Sequence, residues 1–213
     1  MPENLHPPAA LLVTLPGCPH CPGMKRLLEK LLDEGLLATL EVVDAASQPE
    51  RAQALGVRSV PWLALGALRF EGQMTPAELR QWAQLAAQPD QGLRPYFFEM
   101  LKSGRRDRVE ALIREDPARA AVLAALVTDP KASMAVRLGI GAVLEEFQGT
   151  TFTQAMAAPL IAALPTAQPR DRADIAHFLS LIGGPEARAA LTSLLDDPDP
   201  EVREIAREAV RHA

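Results

Sequence analysis

Only two cysteines occur in the 213-residue chain. Two thiols are too few for the disulfide framework of a small secreted domain, and too few for a four-cysteine zinc site. Aromatic residues are scarce at 4%, while alanine and leucine crowd the second half; that balance predicts close-packed helices. No stretch approaches the roughly 20 consecutive apolar residues of a membrane-spanning helix. Positive charge is not in surplus. Residues 1–92 hold seven Lys or Arg against ten Asp or Glu, and residues 93–213 hold fifteen against seventeen. Neither half carries the basic excess that grips phosphate backbones or anionic lipid, so neither a nucleic-acid nor a membrane partner is expected. Met1–His6 shows no basic segment ahead of an apolar core, so no secretory leader and a cytoplasmic location are expected.

What is present is concentrated in Cys18-Pro19-His20-Cys21. The pair follows the apolar run Ala9–Leu15 and precedes residues with helical spacing. A thiol at a helix start meets free N–H groups and the positive end of the dipole, which favour the thiolate. Cys18 is the candidate nucleophile, and Cys21 stands close enough in sequence to resolve a mixed disulfide. His20, between them, either stabilises the thiolate or is a solvated helix-start residue; Pro19 completes the motif. A structural pair or half of a metal site is the competing assignment, with His20 or His6 as a further ligand and a second copy supplying the rest. Redox chemistry without a metal is the expectation.

The remaining punctuation divides the chain. Leu11–Leu15 reads as a buried strand. Met24, Leu27, Leu28, Leu31 and Leu32 give a helix ended by Gly35. Ala38–Val43 is a strand, Asp44–Leu55 a short helix, and Trp62–Leu65 a strand. Gly66-Ala67 makes a two-residue hairpin to Leu68–Phe70. Thr75 caps a helix that has Pro76 first and Glu78 three positions on. The order is β-α-β-α-β-β-α over residues 1–87. Residues 88–92 read as a linker, and 93–213 as an all-α domain. Within it Leu126–Pro130 leads to Val136-Arg137 as Leu194–Pro198 leads to Val202-Arg203, with Arg172 between; this drifting period predicts stacked helix pairs. The arginines there read as solvated helix faces beside neighbouring acids. Tyr96, Phe97 and Phe98 read as a plug between the halves or a repeat cap, His177 as a packed helix residue, and Gly183-Gly184-Pro185 as a helix stop.

The first half resembles the thioredoxin fold. The resemblance rests on Cys18–Cys21 after a strand, on Gly56-Val57-Arg58-Ser59-Val60-Pro61 about forty residues later, and on the Phe70-Glu71-Gly72 hairpin with its closing helix. Cys18-Pro19-His20-Cys21-Pro22 and the leucine-rich helix look most like the glutaredoxin-like domains of protein disulfide oxidoreductases. Pro-His is also the dipeptide of the periplasmic disulfide donors. The resemblance implies a cis peptide bond at Pro61, against the cysteine pair, in a substrate groove with Val60 and Trp62. Otherwise Pro61 merely starts a strand, and Trp62 belongs to the core. Two positions depart from the family: Gly17 stands where thioredoxins have Trp, and Leu12 where they have a buried Asp associated with proton transfer at the second cysteine. A water or the Glu41 region is the candidate substitute. Asp197-Pro198-Asp199-Pro200-Glu201-Val202-Arg203, with Ala206, Ala209 and Val210, resembles HEAT-type repeats, which implies a binding surface.

Together these imply a thiol–disulfide oxidoreductase with no cofactor beyond its Cys18–Cys21 disulfide. Its substrate would be a protein or small-thiol disulfide, and its repeats would hold a protein partner. The alternative is a non-catalytic, redox-sensing adaptor.

Overall fold

The computed structural model describes residues 6–212, apart from the side chains of Pro89, Asp90 and His212. Residues 1–5, which the leader expectation concerns, lie outside it. Two compact units are present, Met1–Leu93 and Arg94–Ala213.

The first unit is built on a four-stranded sheet of order β2-β1-β3-β4. The strands are β1 (Ala9–Thr14), β2 (Thr39–Asp44), β3 (Trp62–Leu65) and β4 (Leu68–Glu71). β1 runs parallel to β2, and β3 runs antiparallel to both β1 and β4. β1 is central and covered on both faces, which explains its unbroken apolar sequence. On one face α1 (Cys21–Asp33) packs on β1 and β2, and α3 (Pro76–Ala86) packs on β3. Cys21, Met24, Leu28 and Leu31 form the buried stripe of α1. On the other face α2 (Pro49–Ala54) buries Ala52 among Val13, Val43, Trp62 and Ala64. Leu65 pairs with Leu68, so Gly66-Ala67 is the two-residue turn expected.

Among the boundaries that differ from the sequence reading are those of β2 and α2. β2 extends to Asp44, because parallel pairing with β1 continues to Thr14. The next residues do not begin a helix. Asp44 accepts from the Ala46 N–H at 2.9 Å and from the Ser47 hydroxyl at 3.1 Å, closing a turn that delays α2 to Pro49. A carboxylate that binds its own downstream backbone competes with helix formation.

The cap of α3 is as read. Thr75 accepts from the Glu78 N–H, and Glu78 accepts from both the Thr75 N–H (2.8 Å) and hydroxyl (2.7 Å). The Thr75 hydroxyl and backbone bonds hold the Glu78 carboxyl below its ordinary value. Thr75→Ala is expected to lower stability by about 1 kcal/mol near neutral pH, in a thermal melt. A lowered folded pKa gives stability that is complete above the ordinary Glu value and lost as pH falls through the lowered one. The difference between wild type and variant should therefore shrink in acid.

Of residues 88–92, read as linker, the last four open helix α4 (Pro89–Lys102). A Cβ on Gly92 would lie 2.2 Å from the Leu85 carbonyl oxygen. Only glycine fits there.

The second unit is all helix. After α4 come α5 (Arg106–Glu115), α6 (Ala121–Val127), α7 (Met134–Glu146), α8 (Ala157–Ala163), α9 (Pro169–Ile182), α10 (Pro185–Ser193) and α11 (Pro200–His212), with four short 3-10 turns between. α5, α7, α9 and α11 pack in sequence as one layer; α6, α8 and α10 form the other. Tyr96 and Phe97 are fully buried and Phe98 half-buried. The arginines that mark the repeats are not solvated. Arg137 is 8% exposed and bonds Asp171 at 2.8 Å and Asp174. Burial works against its charge, but the two carboxylate bonds outweigh that and raise its pKa. Arg172 holds Asp197 through two bonds of 2.8 and 2.9 Å. Each arginine thus reaches an acid 25–37 positions further on. The stacked layers place that acid beside it.

Candidate active site

The loop between β1 and α1 carries the cysteines. Gly17 takes a positive φ of 82°, and the Cys18 N–H folds back to the Leu15 carbonyl at 3.1 Å. Cys18 stays outside the helix and Cys21 becomes its first residue. Their sulfurs are joined as a disulfide, with Cα atoms 5.6 Å apart. Exposure is unequal: Cys18 is half-buried, whereas Cys21 is 4% exposed. An incoming sulfur can therefore reach Cys18 and not Cys21. The Cys21 N–H also donates to the Cys18 sulfur at 3.2 Å. That bond, with the helix dipole, favours negative charge on Cys18 once the pair is reduced.

Pro19 and His20 are exposed. His20 is the N-cap of α1, yet its side chain makes no capping bond. The Cys21 N–H is thus left for the sulfur. Leu15, read as a strand end, is 45% exposed beside the pair; the following Pro16 was the signal that β1 had already ended. No Lys, Arg, Asp or Glu occurs from 7 to 24. Beyond the pair, the first turns of α1 border a groove of about 700 Å³ whose lining includes Gly23, Met24, Leu27, Gln73 and Met74. There the Met74 N–H donates to the Met24 sulfur at 3.5 Å. This contact, 50 residues apart in sequence, has no local sequence signal.

The Val60–Pro61 bond is cis. Val13 pairs with Trp62, so Pro61 leaves the sheet at the same end as the cysteine loop. Pro61 is buried, and its carbonyl accepts the Gly72 N–H at 2.9 Å. Val60 is half-buried, and its backbone has no hydrogen-bond partner among the described residues. Trp62 is not a substrate contact: its side chain is fully buried with Val13, Val43 and Ala52. Its position one residue into β3 turns the indole into the core. Leu12 is likewise fully buried. Glu41 does not substitute for an acid there. It is exposed on the edge strand and held by Arg51 at 2.6 Å, whose bond keeps its carboxyl below the ordinary range. Among the described residues no group of three His, Cys, Asp or Glu side chains is placed to hold a metal ion. No described helix is long and apolar enough to cross a membrane.

Known proteins match both units. A thioredoxin-domain model matches residues 10–84, and a model of HEAT repeats matches residues 119–211. A thioredoxin of Methanocaldococcus jannaschii is 34% identical over 70 residues, covering 32% of this chain and 82% of that protein. The second unit thus carries HEAT repeats. Its first unit, with a redox-type cysteine pair at a helix start, makes the chain a member of the thioredoxin family.

Proposed function

We propose that the chain is a thiol–disulfide oxidoreductase whose helical repeats recognise a protein substrate or partner. The observation that carries this is the Cys18–Cys21 disulfide, with one sulfur accessible, one buried, and the Cys21 N–H on Cys18. In the reduced protein the Cys18 thiolate attacks a substrate disulfide. The substrate S–S bond breaks, and the departing thiolate takes a proton from solvent. Cys21, deprotonated, then attacks Cys18 in the mixed disulfide and releases the second substrate thiol. The substrate gains two electrons and the protein is left oxidised; an external dithiol reduces it for the next cycle. Reversal of the same steps makes it a disulfide donor. Val60, with its open backbone groups beside Pro61, holds the substrate chain. No cofactor takes part beyond the disulfide itself. A cytoplasmic setting belongs to the proposal and rests on the chain having only two cysteines. The test is reduction of insulin disulfides with dithiothreitol as donor. Turnover is expected, and its absence with any dithiol donor defeats the enzyme reading.

His20 sets the direction in this reading. An exposed imidazole beside Cys18 stabilises the thiolate and so the reduced state, which raises the potential. His20→Gly is expected to make the couple more reducing by tens of millivolts, where about 30 mV corresponds to 1.4 kcal/mol. A glutathione titration measures it; equal potentials would remove His20 from the mechanism.

One observation favours a second reading, a redox-sensing adaptor. Leu12 leaves no ionisable side chain at the strand position below the pair. Slow exchange would suit a sensor better than a catalyst. Tight partner binding with no turnover would select it.

A further inference from the structure

Four large apolar side chains are exposed among the described residues, and the two most exposed lie on one helix. Met134 is 61% and Leu138 66% exposed, one turn apart on α7. They line a groove of about 540 Å³ between α7 and α9. Its α7 wall continues through Ala142 to Glu145; α9 contributes Arg170, Asp174 and His177, and Phe178 lies at its base. The stripe from Met134 to Glu145 rises about 17 Å, or roughly three helical turns.

The rim is acidic. Glu145 and Glu201 are exposed and take no ion-pair partner among the described residues. Arg137 is matched by two carboxylates, Asp171 and Asp174. Arg170 is then the one unpaired cation of the groove among the described residues. Three carboxylates of the lining, Glu145, Asp174 and Glu201, face two guanidiniums, Arg137 and Arg170, around an apolar strip, and Asp171 pairs with Arg137 from outside the lining. A second copy docking by the same face would bring two acidic rims together, which like charges oppose.

We infer that this groove docks an amphipathic helix of a partner protein, with apolar side chains laid on Met134 and Leu138 and Lys or Arg along its flanks. Apolar anchors spaced i, i+4 would meet the α7 stripe, and flanking cations would meet Glu145 and Glu201. The inference rests on the reading of the repeats as a partner-binding unit.

The test uses the full chain and two labelled model helices of about 18 residues, long enough to hold helical structure. One has a leucine stripe flanked by lysine, the other the same stripe flanked by glutamate. Fluorescence anisotropy at physiological salt should show one Leu–Lys helix bound per chain, and the Leu–Glu helix bound at least about tenfold more weakly. Leu138→Glu should weaken the Leu–Lys complex at least about tenfold, a 1.4 kcal/mol effect. That substitution adds negative charge, so unspecific attraction would strengthen instead. Leu138 is exposed, and unchanged circular dichroism and insulin turnover will show that the variant is folded. Several results overturn the groove: no complex, equal binding of both helices, or a complex indifferent to Leu138→Glu. A dimer of the chain that dissolves in that variant also overturns it, in favour of a second copy. Binding that survives Leu138→Glu but fails in Ala162→Glu, on α8, overturns the groove and leaves the partner-binding reading intact.

Discussion

Cys18→Ser abolishes dithiol-dependent reduction of insulin, leaving only the background rate of the donor. The expectation follows from access. Cys21 is 4% exposed and is reached only after Cys18 has reacted, and a serine hydroxyl is not ionised near neutral pH. Cys21→Ser has a different signature. The first attack survives, because Cys18 keeps its place at the α1 terminus. The backbone N–H at position 21 is untouched by the change and still holds the thiolate. Resolution fails, so in the absence of a dithiol donor the reduced chain accumulates as a covalent adduct with its substrate, visible by mass and released when dithiothreitol is added. Equal loss in both variants without any adduct would contradict the assignment of Cys18 as nucleophile. Substantial turnover in Cys18→Ser would remove the pair from the chemistry altogether.

Asp197→Ala destabilises the repeat unit by about 3 kcal/mol, a melting-point drop of roughly 10 °C for a unit of this size. The carboxylate is 5% exposed and accepts from the Arg172 Nε and Nη2, and from the Asp199 N–H at 2.9 Å. Alanine would leave Arg172, only 16% exposed, without its carboxylate partner, the Ala167 carbonyl being its remaining acceptor. Most of the loss is that stranded charge. The double change Arg172→Leu with Asp197→Leu should therefore recover much of it, and a double variant no more stable than Asp197→Ala would refute this. The pH dependence follows from the same bond. Arg172 holds the Asp197 carboxyl below its ordinary value. The stabilisation is complete above the usual Asp pKa and is lost as pH falls through the lowered one. Wild type should approach the variant in acid.

Much of this was legible in local pattern. The apolar run of β1, the Thr75–Glu78 cap, the Gly66-Ala67 turn and the cysteines at a helix start each depend on residues within a few positions of one another. The features that were not legible depend on partners far along the chain or on small backbone choices. Asp44 could have opened a helix; its bonds to Ala46 and Ser47 close a turn instead. Gly92 looks like linker punctuation until the Leu85 carbonyl is placed against it. Trp62 adjoins the cis proline in sequence, yet strand alternation sends its indole to the α2 face. The repeat arginines were visible as a period, but not as charges removed from water. The acids that neutralise them lie in the next helix pair.

That arrangement gives the array a polarity. Arg114 looks forward to Glu146, Arg137 to Asp171 and Asp174, and Arg172 to Asp197. Trimming helices from the C-terminal end takes the carboxylates first from Arg172 and then from Arg137, two guanidiniums with little access to water. Trimming from the other end first strands carboxylates with more access to water, Glu146 at 42% and Asp174 at 30% exposed; only a cut that removes Arg172 strands the buried Asp197. Evolution and engineering alike should find the front of this solenoid easier to shorten than the back.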